Sequence, residues 1–367
     1  MDFFKQLFGG KSAIGGLDVG SSMIKMAQIA KTPSGFQLER IGVAPTPAMA
    51  VKDGTVVDAR VLGDAIKQLY ASQKFTMTRV DGVVAGQSVV IRPINMTAMT
   101  PKELKNAIKF EAERYLPYSV AEAQIDGIPL RNSVDGDDKT MEVLLVAAPK
   151  EMLRNAQEVI KLSGIHPNAI DLEPMSLVRA LKINLEAGIF EQTIALINLG
   201  ANSSSINIFK GGVLRHNRTI TVAGNSFTKA IGQSLNLSFE EAEKIKKDKG
   251  VIRVEKDATP VAPTTMRIYN VIIPVLTELI TEIQRSFDYY RSRYRGESVD
   301  HIFVSGGTAR FKNIDVYIYN ELGIQCQIAD PFKNISFSGA SGLSAEEIQE
   351  AAPALMVAVG LALRELV

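Results

Sequence analysis

Asp18, Gly20, Ser21, Ser22 and Lys25 lie within one short stretch, IGGLDVGSSMIKMAQIA (Ile14 to Ala30), which reads as an apolar strand, a Gly/Ser turn and a second apolar strand. Such a turn points backbone N–H groups and two hydroxyls at one spot and makes an anion-binding concavity; a carboxylate beside it can hold a hydrated cation. Phosphate and Mg²⁺ are the ligands this combination suits. A Gly-Ser hairpin alone is equally an ordinary structural turn, and what adds weight is an echo. Thr193 to Val213, TIALINLGANSSSINIFKGGV, aligns Asn198-Leu199-Gly200-Ala201 with Asp18-Val19-Gly20-Ser21 at an offset of 180 residues, about half of the 367-residue chain. An internal duplication produces that offset. Gly200, Ala201, Asn202 and Ser203 then form a second phosphate turn facing the first. A third glycine turn, Gly306-Gly307-Thr308 followed by Arg310, comes after the apolar run His301 to Ser305.

The elements that must position these residues follow from periodicity. A third strand (Phe36 to Val43) succeeds the first hairpin, and a helix from about Ala59 to Ser72 carries Val61, Leu62, Ala65, Ile66 and Leu69 on one face. From Asp81 to His166 the pattern is strand (Gly82 to Pro93), helix (Pro101 to Leu116), strand (Ala123 to Arg131), strand (Met141 to Ala148) and helix (Lys150 to Ser163). Thr100, Pro101 and Glu103 mark the start of its first helix as a capping box with proline at the first position, and Pro117 stops it. Ser133 to Lys139 reads as a solvated loop. Glu240 to Gly250, EEAEKIKKDKG, is a charged helix whose default reading is a solvated face. Val251 to Thr265 reads as a loop. The helix after it, to about Arg295, buries Ile272, Leu276, Leu279, Ile283, Phe287 and Tyr290, with Pro274 expected to start or kink it. Met1 to Phe8 places Phe3, Phe4, Leu7 and Phe8 on one side of a two-turn helix, either a docking foot or a segment packed on its own domain.

Composition narrows the function classes. A net charge of +1 leaves no electrostatic footprint for nucleic acid. One cysteine, Cys326, and three histidines give neither an internal disulfide nor zinc-type spacing, so the chain reads as cytosolic and zinc-free. The longest uncharged run near the C-terminus, Ala351 to Leu363, falls short of the ~20 residues a membrane span needs, and the N-terminus lacks a signal peptide's apolar core. Membrane association is therefore expected to be peripheral or through a partner.

The order of three glycine turns resembles the actin-like ATPase superfamily, which includes actin, the chaperone ATPases, sugar kinases and the division protein FtsA. Phrases such as VVAGQSVVIRPI, ELKNAIKFEAERYLPYSVAEAQIDGIPL and HPNAIDLEPMSLVRAL narrow the resemblance to FtsA and, more closely, to the PilM family of type IV pilus assembly, over nearly the whole chain. The implied fold is α/β: an actin-like ATPase fold of two lobes, each with an RNase H-like mixed sheet, plus an inserted FtsA-type strand/helix subdomain. The first lobe is expected at 1–80 and 166–190, continued by 351–367, with the insertion at 81–165 and the second lobe at 191–350.

The resemblance also implies roles. ATP with Mg²⁺ is expected between the hairpins, the metal on Asp18 through water. Glu173, in Glu173-Pro174, matches a glutamate that orders water and metal near the γ-phosphate in the chaperones; without the resemblance it is a loop carboxylate at a helix start. Glu243, Lys246 and Lys247 match a helix that contacts ribose and adenine, and Arg310 a position over the adenine face, where an arginine plane suits the task. Ala358, Gly360 and Ala362 sit in the second connecting helix, where small residues allow close crossing at a hinge or ordinary tight packing. One departure stands out: Asn198 occupies the place of the family aspartate, keeping hydrogen-bonding shape without charge or proton acceptance. Loss of a general base costs ~10²–10⁴ in rate, so hydrolysis is expected to be slow or absent.

The expected function is a cytoplasmic ATP-binding scaffold of pilus assembly, at the inner face of the inner membrane, coupling the cytoplasmic N-terminal peptide of PilN to the pilus machinery, including its assembly ATPase and other inner-membrane components. Self-association is left open. An FtsA-like polymer-forming adaptor is the alternative, and a small-molecule kinase of the same superfamily a further one. The chain's end directly after GLALRELV, without an FtsA-type amphipathic helix or the membrane helix of the related type II secretion proteins, favours the pilus reading.

Overall fold

A computed structural model describes residues 14–52, 54–131, 140–186, 188–253, 262–337 and 344–367. Met1 to Phe8, Ser133 to Lys139 and part of the Val251 to Thr265 loop lie outside these residues.

The described residues start with an antiparallel meander of β1 (Ile14–Val19), β2 (Met23–Thr32) and β3 (Gly35–Pro45), followed by a short ribbon of β4 (Val51–Lys52) and β5 (Thr55–Val56). Helix α1 (Ala59–Ser72), capped by the Asp58 carboxylate, leads to β6 (Arg79–Val84), parallel to β1. Next come β7 (Val90–Thr97), α2 (Pro101–Ala112), β8 (Ala123–Arg131) and β9 (Thr140–Pro149). Helix α3 (Lys150–Leu162), β10 (His166–Leu172) and α4 (Glu173–Lys182) complete the first half. The second half repeats the opening as β11 (Thr193–Leu199), β12 (Ser204–Lys210) and β13 (Val213–Ile220). It continues with α5 (Gly224–Leu235), α6 (Phe239–Lys249), α7 (Pro263–Arg293), β14 (His301–Ser305), α8 (Ile314–Leu322), β15 (Gln325–Ile328), β16 (Ile335–Phe337) and α9 (Ala345–Ala362).

The first sheet runs β10-β6-β1-β2-β3-β16 and the second β13-β12-β11-β14-β15. Apart from β16, which pairs parallel to β3, the two orders are the same: an antiparallel meander, then two parallel strands beyond its first member. The meander is antiparallel because tight turns join its strands; the later strands return through helices and so pair parallel.

The stretch expected as one strand from Gly82 to Pro93 is two strands in different sheets. β6 ends at Val84, Gly86 takes a positive φ of 111°, and a turn closed by Val89 N–H on Gly86 O (3.1 Å) redirects the chain. β6 therefore belongs to the first sheet, between β1 and β10, and α3 packs with α1 on that sheet, where a Cβ on Gly63 would come within 2.7 Å of Leu162 Cβ. What stands outside both main sheets is the sheet β7-β9-β8 with α2 across it, narrower than the expected 81–165 unit. Helix α2 has its capping box of Thr100 and Glu103 but ends at Ala112, four residues before the expected Leu116. Helix α7 runs on through Pro274 with the six expected apolar residues buried.

Helices α4 and α9 lie in the largest core, which the two main sheets share. Their crossing is as close as backbone allows, since a Cβ on Gly360 would meet Ser176 O at 1.8 Å, and α9 passes β1 as closely, since one on Gly16 would meet Ala358 O at 2.0 Å. The three-stranded sheet is fastened to β13 by the largely buried Arg215–Glu142 ion pair (2.5 Å) and to the end of α7 by Arg293 donating to Pro93 O (2.8 Å). No helix among the described residues is long and apolar enough to cross a membrane.

Candidate functional site

The two hairpin turns, the Gly306 turn, the start of α4 and the polar face of α6 line one cavity of about 660 Å³. Asp18, Gly20, Ser21, Ser22, Lys25, Glu173, Asn198, Gly200, Ala201, Asn202, Ser203, Glu243, Lys246, Lys247, Gly306, Gly307, Thr308 and Arg310 all contribute to its wall. Residues far apart in sequence reach one place because both meanders and the parallel strand β14 deliver their turns to the same side.

On the first hairpin, Asp18 and Lys25 are cross-strand partners joined by a 2.7 Å ion pair. Thr46 ties down the turn's carbonyls, its hydroxyl donating to Gly20 O (2.7 Å) and its N–H to Ser22 O (2.9 Å). On the second hairpin, Gly200 O accepts from Gly224 N–H (2.9 Å) and from the Thr308 hydroxyl (3.1 Å), which joins the second and third turns to the start of α5. Gly306 has φ 90°, and any Cβ there would strike Leu199 O at 2.4 Å and Asn198 Oδ1 at 2.6 Å. Only glycine fits this turn.

Glu173 opens α4 and reaches the second sheet, where its carboxylate accepts from the Ser205 hydroxyl. Burial drives the Glu173 carboxyl above its ordinary pKa; the Ser205 hydrogen bond opposes this, the Asp18 charge adds to it, and hydrogen bonding with Asn198 and the Lys25 charge oppose it in turn. Farther along, Glu243 accepts from Thr228 Oγ1 (2.5 Å) and pairs with Lys246 (2.5 Å) and Lys247 (3.3 Å). Burial alone would raise the Glu243 carboxyl, but the bonds from Lys246 and Thr228 hold it low, while burial lowers Lys246. Lys246 also donates to Gly224 O (3.1 Å) and Thr228 Oγ1 (2.8 Å). Arg310 pairs with Glu350 of α9 at the cavity wall.

The contacts order the cavity. Glu173 and the Asp18–Lys25 pair mark one end, Asn198, Gly306 and Gly200 the middle, and Gly224 with the α6 trio the other end. The lining also includes apolar side chains, among them Val51, Val56, Val84, Met152 and Ala156. Among the described residues no group of three or more His, Cys, Asp or Glu side chains is placed to hold a metal.

Sequence reading missed Ser205 and Thr228. Ser205 was findable: it lies 180 residues after Lys25, the same offset that separates Asn198 from Asp18, and it is the cross-strand partner of Asn198. Thr228 carries no local signal, because its role depends on α5 packing against α6.

A family model described as type IV pilus assembly protein PilM matches residues 16–366. Curated relatives include the cell division protein FtsA of Bacillus subtilis, 27% identical over 256 residues that cover 64% of this chain and 57% of that protein. The match thus spans less than two thirds of that relative. FtsA of Pseudomonas aeruginosa is 23% identical over 330 residues, covering 81% of this chain and 78% of its own length. Among solved structures, one described as a PilM-PilN type IV pilus biogenesis complex superposes with a TM-score of 0.84 at 26% identity, over 98% of this chain and 100% of that one. MreB5 of Spiroplasma citri bound to ADP matches at a TM-score of 0.54 and 14% identity, over 97% of each chain, and shares the actin-like fold.

Proposed function

The chain belongs to the PilM family of type IV pilus assembly proteins, and from that premise we propose that it is a cytoplasmic ATP-binding scaffold which holds the tail of a membrane partner. The observation that carries this reading is the single cavity into which three glycine turns and the α6 trio converge.

The wall fits a nucleotide. Gly307 has no heavy atom within 4 Å of where a Cβ would sit, so a side chain there would fill open space that a phosphate or sugar can use. Glu243, Lys246 and Lys247 offer the paired acceptor and donors that ribose hydroxyls and a base edge take, and the hairpins offer backbone N–H groups, hydroxyls and the Lys25 ammonium to phosphates. Adenosine at the α6 end puts the terminal phosphate at the Asp18 end. Asp18 would hold Mg²⁺ through water, and that ion would offset phosphate charge there. Mg²⁺ keeps several waters and leans on substrate phosphates, so a single carboxylate can seat it.

Turnover is slow in this reading because Asn198 hydrogen-bonds Glu173 without supplying a second carboxylate. Hydrogen bonds to charged groups contribute roughly 1.5–3 kcal/mol each, enough for firm binding without chemistry. A small-molecule kinase needs a catalytic aspartate beside a polar acceptor pocket, and the residues that line this cavity besides the nucleotide set include many apolar ones such as Val51, Val56, Val84, Met152 and Ala156. The solved PilM-PilN complex, similar over nearly the whole chain, supports PilN as the partner. Its N-terminal tail would lie as an extended peptide between the three-stranded unit and the first sheet, with backbone bonds for affinity and apolar pockets for selection. Localisation at the inner membrane would follow from that partner.

Mass analysis of protein purified without added nucleotide tests the reading. Retained ATP, or a thermal shift on adding Mg²⁺-ATP, is expected. Neither retained nucleotide nor any shift would overturn it.

A further inference from the structure

Glu173 is held from the opposite sheet. Its carboxylate accepts from the Ser205 hydroxyl on β12; the Ser205 oxygen accepts from Asn207 Nδ2 at 3.0 Å; and Asn207 Oδ1 accepts from Asn217 Nδ2 on β13 at 2.6 Å. Asn207 Nδ2 also donates to Leu196 O at 3.1 Å. A backbone carbonyl can only accept, so that contact fixes which side of the Asn207 amide carries nitrogen. Every donor along this row of bonds therefore points towards Glu173. With its oxygen already accepting from Asn207, Ser205 spends its one hydrogen on the carboxylate.

The first sheet serves as an internal control. Where β12 sets Ser205 against Asn198, β2 sets Lys25 against Asp18; where Asn207 faces Asn217, Ala27 faces Ile41. Ala27 and Ile41 are both 0% exposed, as is Asn207. An apolar pair thus satisfies this position of the strand order. Buried amides are retained only where they are bonded, and they are costly otherwise, so the amide pair answers to something other than strand pairing. Its bonds lead to Glu173.

We propose that Asn217, Asn207 and Ser205 form a positioning relay that aims the Glu173 carboxylate into the terminal-phosphate end of the cleft and so favours ATP over ADP, an inference that rests on the nucleotide reading above. Released from Ser205, the carboxylate is drawn to Lys25, whose charge already acts on it, and competes with the phosphate for that ammonium. The loss falls on the terminal phosphate, hence on ATP.

Calorimetric titration with ATP and with ADP, each with Mg²⁺, tests this in the full chain. Ser205→Ala should lower the ATP-to-ADP affinity ratio about tenfold, the scale of one hydrogen bond to a charged group, and Ser205→Thr should restore it. In a Glu173→Gln background Ser205→Ala should change the ratio no further, because the two residues act as one unit. Asn217→Ala, at the half-buried far end, should give a smaller fall in the same direction and serves if changes nearer Glu173 prevent folding. An unchanged ratio in folded Ser205→Ala, or an equal effect in both backgrounds, overturns the relay and leaves nucleotide binding standing. A wild-type chain that binds neither nucleotide overturns both.

Discussion

Across the cavity, the first hairpin sets Asp18 against Lys25 and the second sets Asn198 against Ser205, at the same step of the same strand order. One step deeper, Ala27 stands where the second hairpin has Asn207, and Gly16 where it has Leu196. The first hairpin thus presents charge over an apolar support, with a gap that admits a helix backbone. The second presents neutral hydrogen-bonding groups over a polar support. A duplicated frame has been divided between a half that carries charge and a half that orients, and a third carboxylate at position 198, beside Asp18 and Glu173, would crowd like charges together.

Making the hairpins alike should break different things in turn. The largest effect is expected from Gly16→Leu, which copies Leu196 into the place where α9 passes so closely that an added Cβ would lie only 2.0 Å from Ala358 O. Overpacking against backbone should cost more than ~4 kcal/mol, read as loss of folded protein in urea melts; a melt within ~1 kcal/mol of wild type would show that the crossing has slack. Asn198→Asp copies Asp18 into the second hairpin. It should raise the single-turnover rate of ATP cleavage by about 10²-fold, the usual scale of a general base, while lowering thermal stability as the added carboxylate ionises beside Glu173. No rate increase would mean that something other than residue 198 limits the chemistry. Ala27→Asn copies Asn207 into the first hairpin without its partners. A buried amide lacking bonds should cost about 1–3 kcal/mol in unfolding free energy and leave the ATP-to-ADP ratio untouched. A neutral result would mean that the first sheet accommodates polarity as easily as the second.

Much of this arrangement is legible in the sequence because it is local. Asp18-Val19-Gly20-Ser21 and Asn198-Leu199-Gly200-Ala201 are turn chemistry followed by apolar alternation, and their offset exposes the duplication before any contact is known. Thr100 and Glu103 announce a helix start for the same reason. What the sequence hides is long-range. Between Gly82 and Pro93, Gly86-Gln87-Ser88 breaks the apolar run, but such a break marks a bulge within one strand as readily as a passage to another sheet, and which of the two it is depends on distant pairing partners. The service of Ser205 to Glu173 depends on register across 32 residues and two elements, and the link between Lys246 and Thr228 on helix packing.

The central claim is that the cavity between unlike hairpins binds ATP through the charged one. Calorimetry of Mg²⁺-ATP against wild type and Asp18→Ala tests it most directly. Loss of the carboxylate removes the charged group that would hold the cation and the partner that fixes the Lys25 ammonium in place, and about a hundredfold weaker binding is expected, equivalent to two hydrogen bonds to charged groups at the lower end of their range. Equal affinity in the two proteins would contradict the account.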